Sequence, residues 1–419
     1  MPDYFQSEFS KIIDRNYSSK EANSIRKKAF DDFTEQGLPN RKDENWRFTN
    51  ISPIKRGNFR ISEKKDAPNA DYNISRHELD SLKTVVFFNG HFQKSLYPMP
   101  KGLRVSSNQE RMEQKDRTLF KPTKSSFDLL NTAFMDIGVS LIVDKDVEIN
   151  EPIRLLFICA SDEKLMTSPR IHVDVGESSS LCLIEQHVGD CNEYFFNQSV
   201  VANIERNAKL KHIRLQNNSK STINMGNLHI KQQKDSAYDF VQFAFGAQLG
   251  RIDVNVDLCE EGADVSVKGL NLSDHKQHLD VNVTTNHYAP NCISGQNFKS
   301  ILKDHSSGVF NGRVIVHDGA QKTASSQSNK NLLLSKDALM NSNPQLEIYA
   351  DDVKCSHGSS TGALESDALF YIRSRGIDHE TATALLVHGF ASEIIEDLKN
   401  NDIKDLVMTY FNNWLEQKK

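Results

Sequence analysis

Cys355-Ser356-His357 is the one place in this chain where residue type and spacing point directly to chemistry. In an extended backbone residues i and i+2 project to the same face, so a thiol and an imidazole would lie side by side. Such a pair can act as a thiolate–imidazolium couple or ligate a soft metal jointly. Asp351 and Asp352, just upstream, could add oxygen ligands or tune the pair electrostatically. On spacing alone the plainer reading is the opposite one: a buried structural thiol and a hydrogen-bonded histidine at a strand end, since this spacing is common by accident. The other histidines are dispersed. His275 and His278 fall in a polar turn-like segment, and His305 and His317 flank a strand candidate, so all four read as solvated or loop residues. Cys159, Cys182 and Cys259 sit in apolar strand contexts as core-filling thiols.

Composition narrows the rest. The 419 residues, 38% hydrophobic and 26% charged with a net charge of −5, describe a chain able to bury a sizeable core, with no general attraction to nucleic acid or anionic membrane. Apolar runs are too short for a transmembrane helix, and the first residues lack the basic and apolar blocks of a secretory signal. Six cysteines without paired spacing suggest reduced thiols, and the expectation is a cytoplasmic protein. Phosphate-loop, dinucleotide, zinc-protease and serine-hydrolase motifs are absent, which argues against nucleotide hydrolysis or dinucleotide chemistry within this chain.

Three regions must position the pair. Residues 1–83 form a helical region with a linker. Ser18 and Glu21 fit a capping box, Ala22, Ile25, Ala29 and Phe33 share a face, Gly37-Leu38-Pro39 ends the helix, and 66–73 reads as a linker. From 84 to 357 the period is two. In Arg251–Leu258, Ile252, Val254, Val256 and Leu258 point one way and Asp253, Asn255 and Asp257 the other. No long helical pattern intervenes and no fixed-length repeat is visible. That leaves a sandwich pair, a propeller or a β-helix open, with Gln327, Asn329 and Asn331 beside Leu332-Leu333-Leu334 leaning toward a solenoid. Residues 358–419 return to helix: one from Ser366 to Arg375 stopped by Gly376, one capped by Asp378, and a last one with Ile403, Leu406, Val407, Tyr410, Phe411, Trp414 and Leu415 in a wide apolar stripe. That stripe packs on the β body or docks a partner.

Three C-terminal segments resemble the SufB/SufD family of iron–sulfur cluster assembly scaffolds. They are Gly308–Gly312 with Ala320–Thr323 and Gln327 to Ser335; Pro344–Ile348 with Ala350–Gly358; and Leu369–Gly376 with Gly389-Phe390. Asp43–Thr49, DENWRFT, is similar to a motif near the start of SufD members, and the length also favours the SufD side. The resemblance implies a mainly β fold, a right-handed parallel β-helix flanked by α-helical N- and C-terminal regions. It implies a non-catalytic scaffold working with a SufB-like paralogue and the SufC ATPase, and a homodimer when alone. SufC would dock on the C-terminal helical region, at Leu369, Phe370, Tyr371, Arg373, Arg375, Gly389 and Phe390. Cys355 and His357 would serve a nascent iron–sulfur cluster near the paralogue interface, a donor pair suited to iron. The isolated chain would hold no resident cofactor, the complex a transient cluster, and the resemblance admits a flavin in that complex. Relatives carry an acidic residue after the threonine of the Ala-Gln-x-Thr segment, where this chain has Ala324, so no ligand role is assigned there. Two other classes compete: a β-helical lyase or glycosidase, whose carboxylate- and aromatic-lined groove the Asp253/Asn255/Asp257 face fits poorly, and a structural protein with a redox-active Cys355.

Overall fold

A computed structural model describes residues 2–14, 20–66, 77, 79, 82–96, 98–107, 125–135, 138–189 and 193–416. Ser18, Cys191 and linker residues 67–73 lie outside them. The chain is mainly β, 45% strand, wound into a parallel β-solenoid of about 8 turns with helices at both termini. Strands alternate between two sheets, of eleven and ten strands, so each turn contributes one strand to each sheet.

The period that no inspection of residue identities reveals is plain in the pairing. Leu249 lies beside His278 and His278 beside Ser307, 29 residues per turn, and neighbouring turns take 26 (Ile223 to Leu249) to 32 (Ser307 to Leu339). What repeats is a backbone conformation. Asp146, Ser178, Asn207, Asp235, Gly262, Asn291 and Lys322 occupy the same corner with φ between 54° and 76°. A single left-handed residue turns the chain there, which Gly, Asn and Asp tolerate best. Successive corners are tied together: the Asp146, Ser178, Asn207 and Asp235 amides donate to Glu177, Arg206, Lys234 and Glu261 carbonyls one turn on.

Alternation sends one side chain in two into the space between the sheets. Ile252, Val254, Val256 and Leu258 are buried there, while Asp253, Asn255 and Asp257 look outward, as the sequence pattern predicts. Each fully buried aliphatic side chain of this kind contributes roughly 1.5–3 kcal/mol. Both outer faces are covered by helices. Helices α1 (Asp3–Ile13) and α2 (Lys20–Gln36), the short α3 (Ser52–Arg56) and α4 (Ser126–Phe134) close over the eleven-stranded sheet through Phe5, Phe30, Phe33, Phe134 and Phe195. Helix α4 departs from the expectation of an uninterrupted strand region. Every one of its residues is buried, its polar side chains included, so it has no solvent-facing side and no amphipathic period to read.

At the other end, α5 (Ser366–Arg373), α6 (His379–Ile395) and α7 (Asn401–Glu416) follow the last strand. Asp378 caps α6 as expected, accepting from the Thr381 amide at 3.0 Å. The α7 stripe packs on the solenoid: Ile403, Val407, Phe411 and Trp414 meet Ile213, Leu215, Phe243, Leu270 and Leu272 of the ten-stranded sheet. Among the described residues no helix is long and apolar enough to cross a membrane.

Candidate functional site

The two ends of the solenoid differ. The first turns are finished by antiparallel strands, His91–Leu96 on Lys83–Phe88 and Leu103–Ser107 on Gly138–Val143. The last two strands, Leu339–Ile348 and Lys354–Gly362, terminate their sheets, and neither contains a buried residue. Among the described residues nothing pairs with their outer edges. Adjacent edges of ten and nine residues with unsatisfied backbone groups are templates for another strand. Pro344 is compatible with such an edge because it lacks only a donor.

Cys355 and His357 lie on the terminal strand Lys354–Gly362. Their neighbours in register are Ser325 and Gln327, both buried between the sheets, so thiol and imidazole share the inward face at the open mouth of the solenoid. The interior changes character on the way there. Its main apolar core ends at Phe298 and Phe310, and toward the mouth the lining mixes Ser294, Gln296, Ser325, Gln327, Asn329 and Asn331 with a small apolar cluster that includes Val314 and Val316. Cys355 is half-buried against Val314, Val316, Ala320 and Ala350, whereas His357 is exposed. Burial pushes the Cys355 thiol above its ordinary value, only partly offset by the Ser325 amide, so at neutral pH it is a protonated thiol rather than a primed nucleophile. Metal ligation would have to displace that proton. Asp351 and Asp352 occupy the exposed turn before the strand, with the Asp352 carbonyl receiving the Lys322 amide. Among the described residues no three His, Cys, Asp or Glu side chains converge as a metal site would require.

The helical surface expected to meet a partner divides in two. Phe370 and Tyr371 on α5 are 74% and 60% exposed, Leu385 on α6 is 51% exposed, and Arg375 stacks on the Tyr371 ring at 3.5 Å. Phe390 instead faces the solenoid, where Lys299 lies 4.9 Å from its ring and donates to its carbonyl at 2.8 Å. Leu369 is half-buried, and Arg373, Arg375 and Gly389 are exposed.

The DENWRFT segment proves to be a clasp on the eleven-stranded sheet. Arg251 stacks on Trp46 at 3.6 Å, donates to the Asn45 carbonyl at 2.8 Å, and bonds both Asp253 and Asp280. Thr49 donates to Asp280 at 2.5 Å and contacts His278 at 2.9 Å. His278 is therefore not the solvated turn residue that its neighbourhood suggests. It opens a strand and also bonds Ser307 at 2.7 Å, beneath a segment 229 residues away in sequence. His275 and His305 are exposed, and His317 stacks on Tyr288 at 4.3 Å. A groove of about 390 Å³ runs beside the clasp, with His229, Asp253, Asn282 and Arg313 in its wall. Arg251 and Asp253, both in that wall, are bonded to each other, and Arg251 also bonds Asp280.

Comparison with known proteins adds the following. Residues 157–390 match the SufBD core domain of SUF system FeS cluster assembly, and residues 2–155 match the SufBD protein N-terminal region. An iron–sulfur cluster assembly SufBD family protein of Synechocystis is 31% identical over 384 residues, covering 86% of this chain and 84% of its own. The iron–sulfur cluster assembly protein SufD of Escherichia coli is 28% identical, covering 89% and 88%. The chloroplastic protein ABCI7 of Arabidopsis thaliana is 30% identical, covering 88% and 80%.

Proposed function

The chain belongs to the SufBD family of iron–sulfur cluster assembly proteins and is SufD-like, and from that membership we propose that it is a non-catalytic scaffold subunit that pairs with a SufB-like paralogue and a SufC-like ATPase. The observation that carries the reading is the open end of the solenoid, where two free strand edges frame Cys355 and His357. A related solenoid presenting the same two edges would complete both sheets by strand addition. That contact would bring a second chain's side chains to the mouth where the pair lies. One thiol and one imidazole supply two ligands, and an iron site of four needs the remainder from elsewhere. The cluster is cargo here, held between chains and passed on. The lone chain is expected to hold little or no cluster and, with its edges uncovered, to form a homodimer; a monomer at micromolar concentration would count against that use of the edges. The exposed Phe370, Tyr371 and Leu385 suit an apolar partner surface such as the ATPase would offer. A cytoplasmic location and a flavin in the complex remain parts of the same proposal.

The test is affinity purification of the chain co-expressed with the SufC-like and SufB-like proteins of its own source, with iron and acid-labile sulfide quantified. A ternary complex whose cluster content falls about tenfold or more in a Cys355→Ala/His357→Ala double variant is the expected result. Unchanged cluster content in an intact complex would return the pair to a structural role. Failure to co-purify would remove the scaffold assignment.

A further inference from the structure

The side chains behind His357 form a ladder with a direction. Val267, Gln296, Gln327 and His357 are consecutive register partners on one face of the ten-stranded sheet. Gln296 sends its amide nitrogen across the solenoid to the facing sheet, donating to Thr285 Oγ1 at 3.2 Å and to the Arg313 carbonyl at 3.3 Å. Gln327 turns its amide nitrogen away from the open end, its Nε2 donating to Gln296 Oε1 at 3.0 Å. Each amide thus has its donor spent and leaves its acceptor for the rung nearer the open end. For Gln296 that next rung is Gln327. For Gln327 it is His357, and Gln327 Oε1 is buried without a partner. An orphaned buried acceptor is costly, and this atom has almost no solvent exposure.

We propose that Gln327 is a positioning residue for His357, its Oε1 accepting one ring N–H of the imidazole and so fixing the tautomer. The two groups are not bonded in the structure; the imidazole stands exposed on the terminal strand, where side-chain rotation is fast. Turning inward satisfies the orphan and costs the ring only solvent contact. The nitrogen left unprotonated then presents its lone pair at the mouth of the solenoid, on the face it shares with Cys355. Histidines that bind metals are held in this way by an acceptor on the far nitrogen. The value of the arrangement for a cluster rests on the function proposed above, whereas the hydrogen bond itself does not.

The full chain labelled with 15N-histidine tests it without any metal. In the wild type at pH 8, the two His357 ring nitrogens, assigned by their loss in His357→Gln, should show widely separated shifts, one protonated and one bare. In Gln327→Met, which keeps the length and removes the acceptor, the shifts should move toward each other as tautomers average. Gln327→Glu should restore the separation. Averaged shifts in the wild type would overturn the proposal even if the Met variant failed to fold, and so would a Met variant identical to wild type. Separated shifts together with an unchanged cluster content in Cys355→Ala/His357→Ala complexes would keep the positioning role and remove the cluster role.

Discussion

Acidification from pH 7 toward pH 4 is expected to remove about 3 kcal/mol of folding stability through His287 alone. Burial holds this imidazole down at about 4, with the nearby His317 charge acting the same way, while its hydrogen-bond partners are hydroxyls: Ser294 at 2.8 Å and Thr323 at 3.4 Å. Below about pH 6.5 the unfolded chain takes up a proton that the folded chain refuses, so stability falls with pH until the folded value is reached. His187 is shifted in the same direction, by burial first and the Arg214 charge second, against the pull of Glu185. Glu185 behaves differently. Burial would raise its carboxyl, but hydrogen bonds from His187 and His212 outweigh that and hold it below the usual carboxylate range. Its contribution is present above the unfolded value of about 4.3 and is lost only below it, so the histidine window lies higher and can be separated. Urea unfolding of wild type and His287→Gln at several pH values between 7.5 and 4.5 measures the effect. The variant's curve should be the flatter by about 2.5 kcal/mol over that span, and parallel curves would show that His287 is not the source.

Much of this architecture was written in local patterns, and the parts that were not have physical reasons. Alternation in Arg251–Leu258 marks a strand with one face inside, and the Asp378 cap and the α7 stripe are read from single turns of helix. The solenoid period escapes inspection because its carrier is a left-handed φ that Asp, Ser, Asn, Gly and Lys all adopt, not a recurring residue. Helix α4 is invisible for the opposite reason, being apolar or bonded on every side. At the candidate site the shared face of Cys355 and His357 follows from spacing alone. That they face an open mouth depends on where the winding stops, and the bond from Thr49 to Asp280 depends on contacts across 231 residues. Gln327 was legible as a motif residue and as one of the polar residues that favour a solenoid, not as a partner of His357. Its unpartnered oxygen appears once Gln296 is seen one strand behind it.

Arg170→Ala is expected to destabilise the chain by about 3–5 kcal/mol, because it strands a carboxylate that has no access to water. Arg170 and Asp128 are both fully buried, 3.1 Å apart, where the first strand residue of Arg170–Val175 meets α4. The same Nη1 donates to Asn131 Oδ1 at 3.0 Å and Thr132 Oγ1 at 2.9 Å, and Asp128 also accepts from Ser199 at 2.8 Å. Asn131 in turn donates to the Pro169 and Asn197 carbonyls, and Asn197 returns a bond to the Phe127 carbonyl. This network pins α4 to the eleven-stranded sheet, and α4 carries the Phe134 ring against which Phe5, Phe9 and Phe30 pack. Losing the guanidinium should therefore loosen the N-terminal helices as a unit, seen as faster proteolysis there. Replacing the pair together, Arg170→Met with Asp128→Leu, should recover most of the loss, since the penalty lies in the unpaired charge rather than in the missing attraction. A double variant no more stable than Arg170→Ala would refute that division. Because α4 covers early turns of the solenoid and Cys355 lies on its last strand, alkylation of Cys355 should be unchanged in Arg170→Ala under native conditions, so that stability and the candidate site can be perturbed independently.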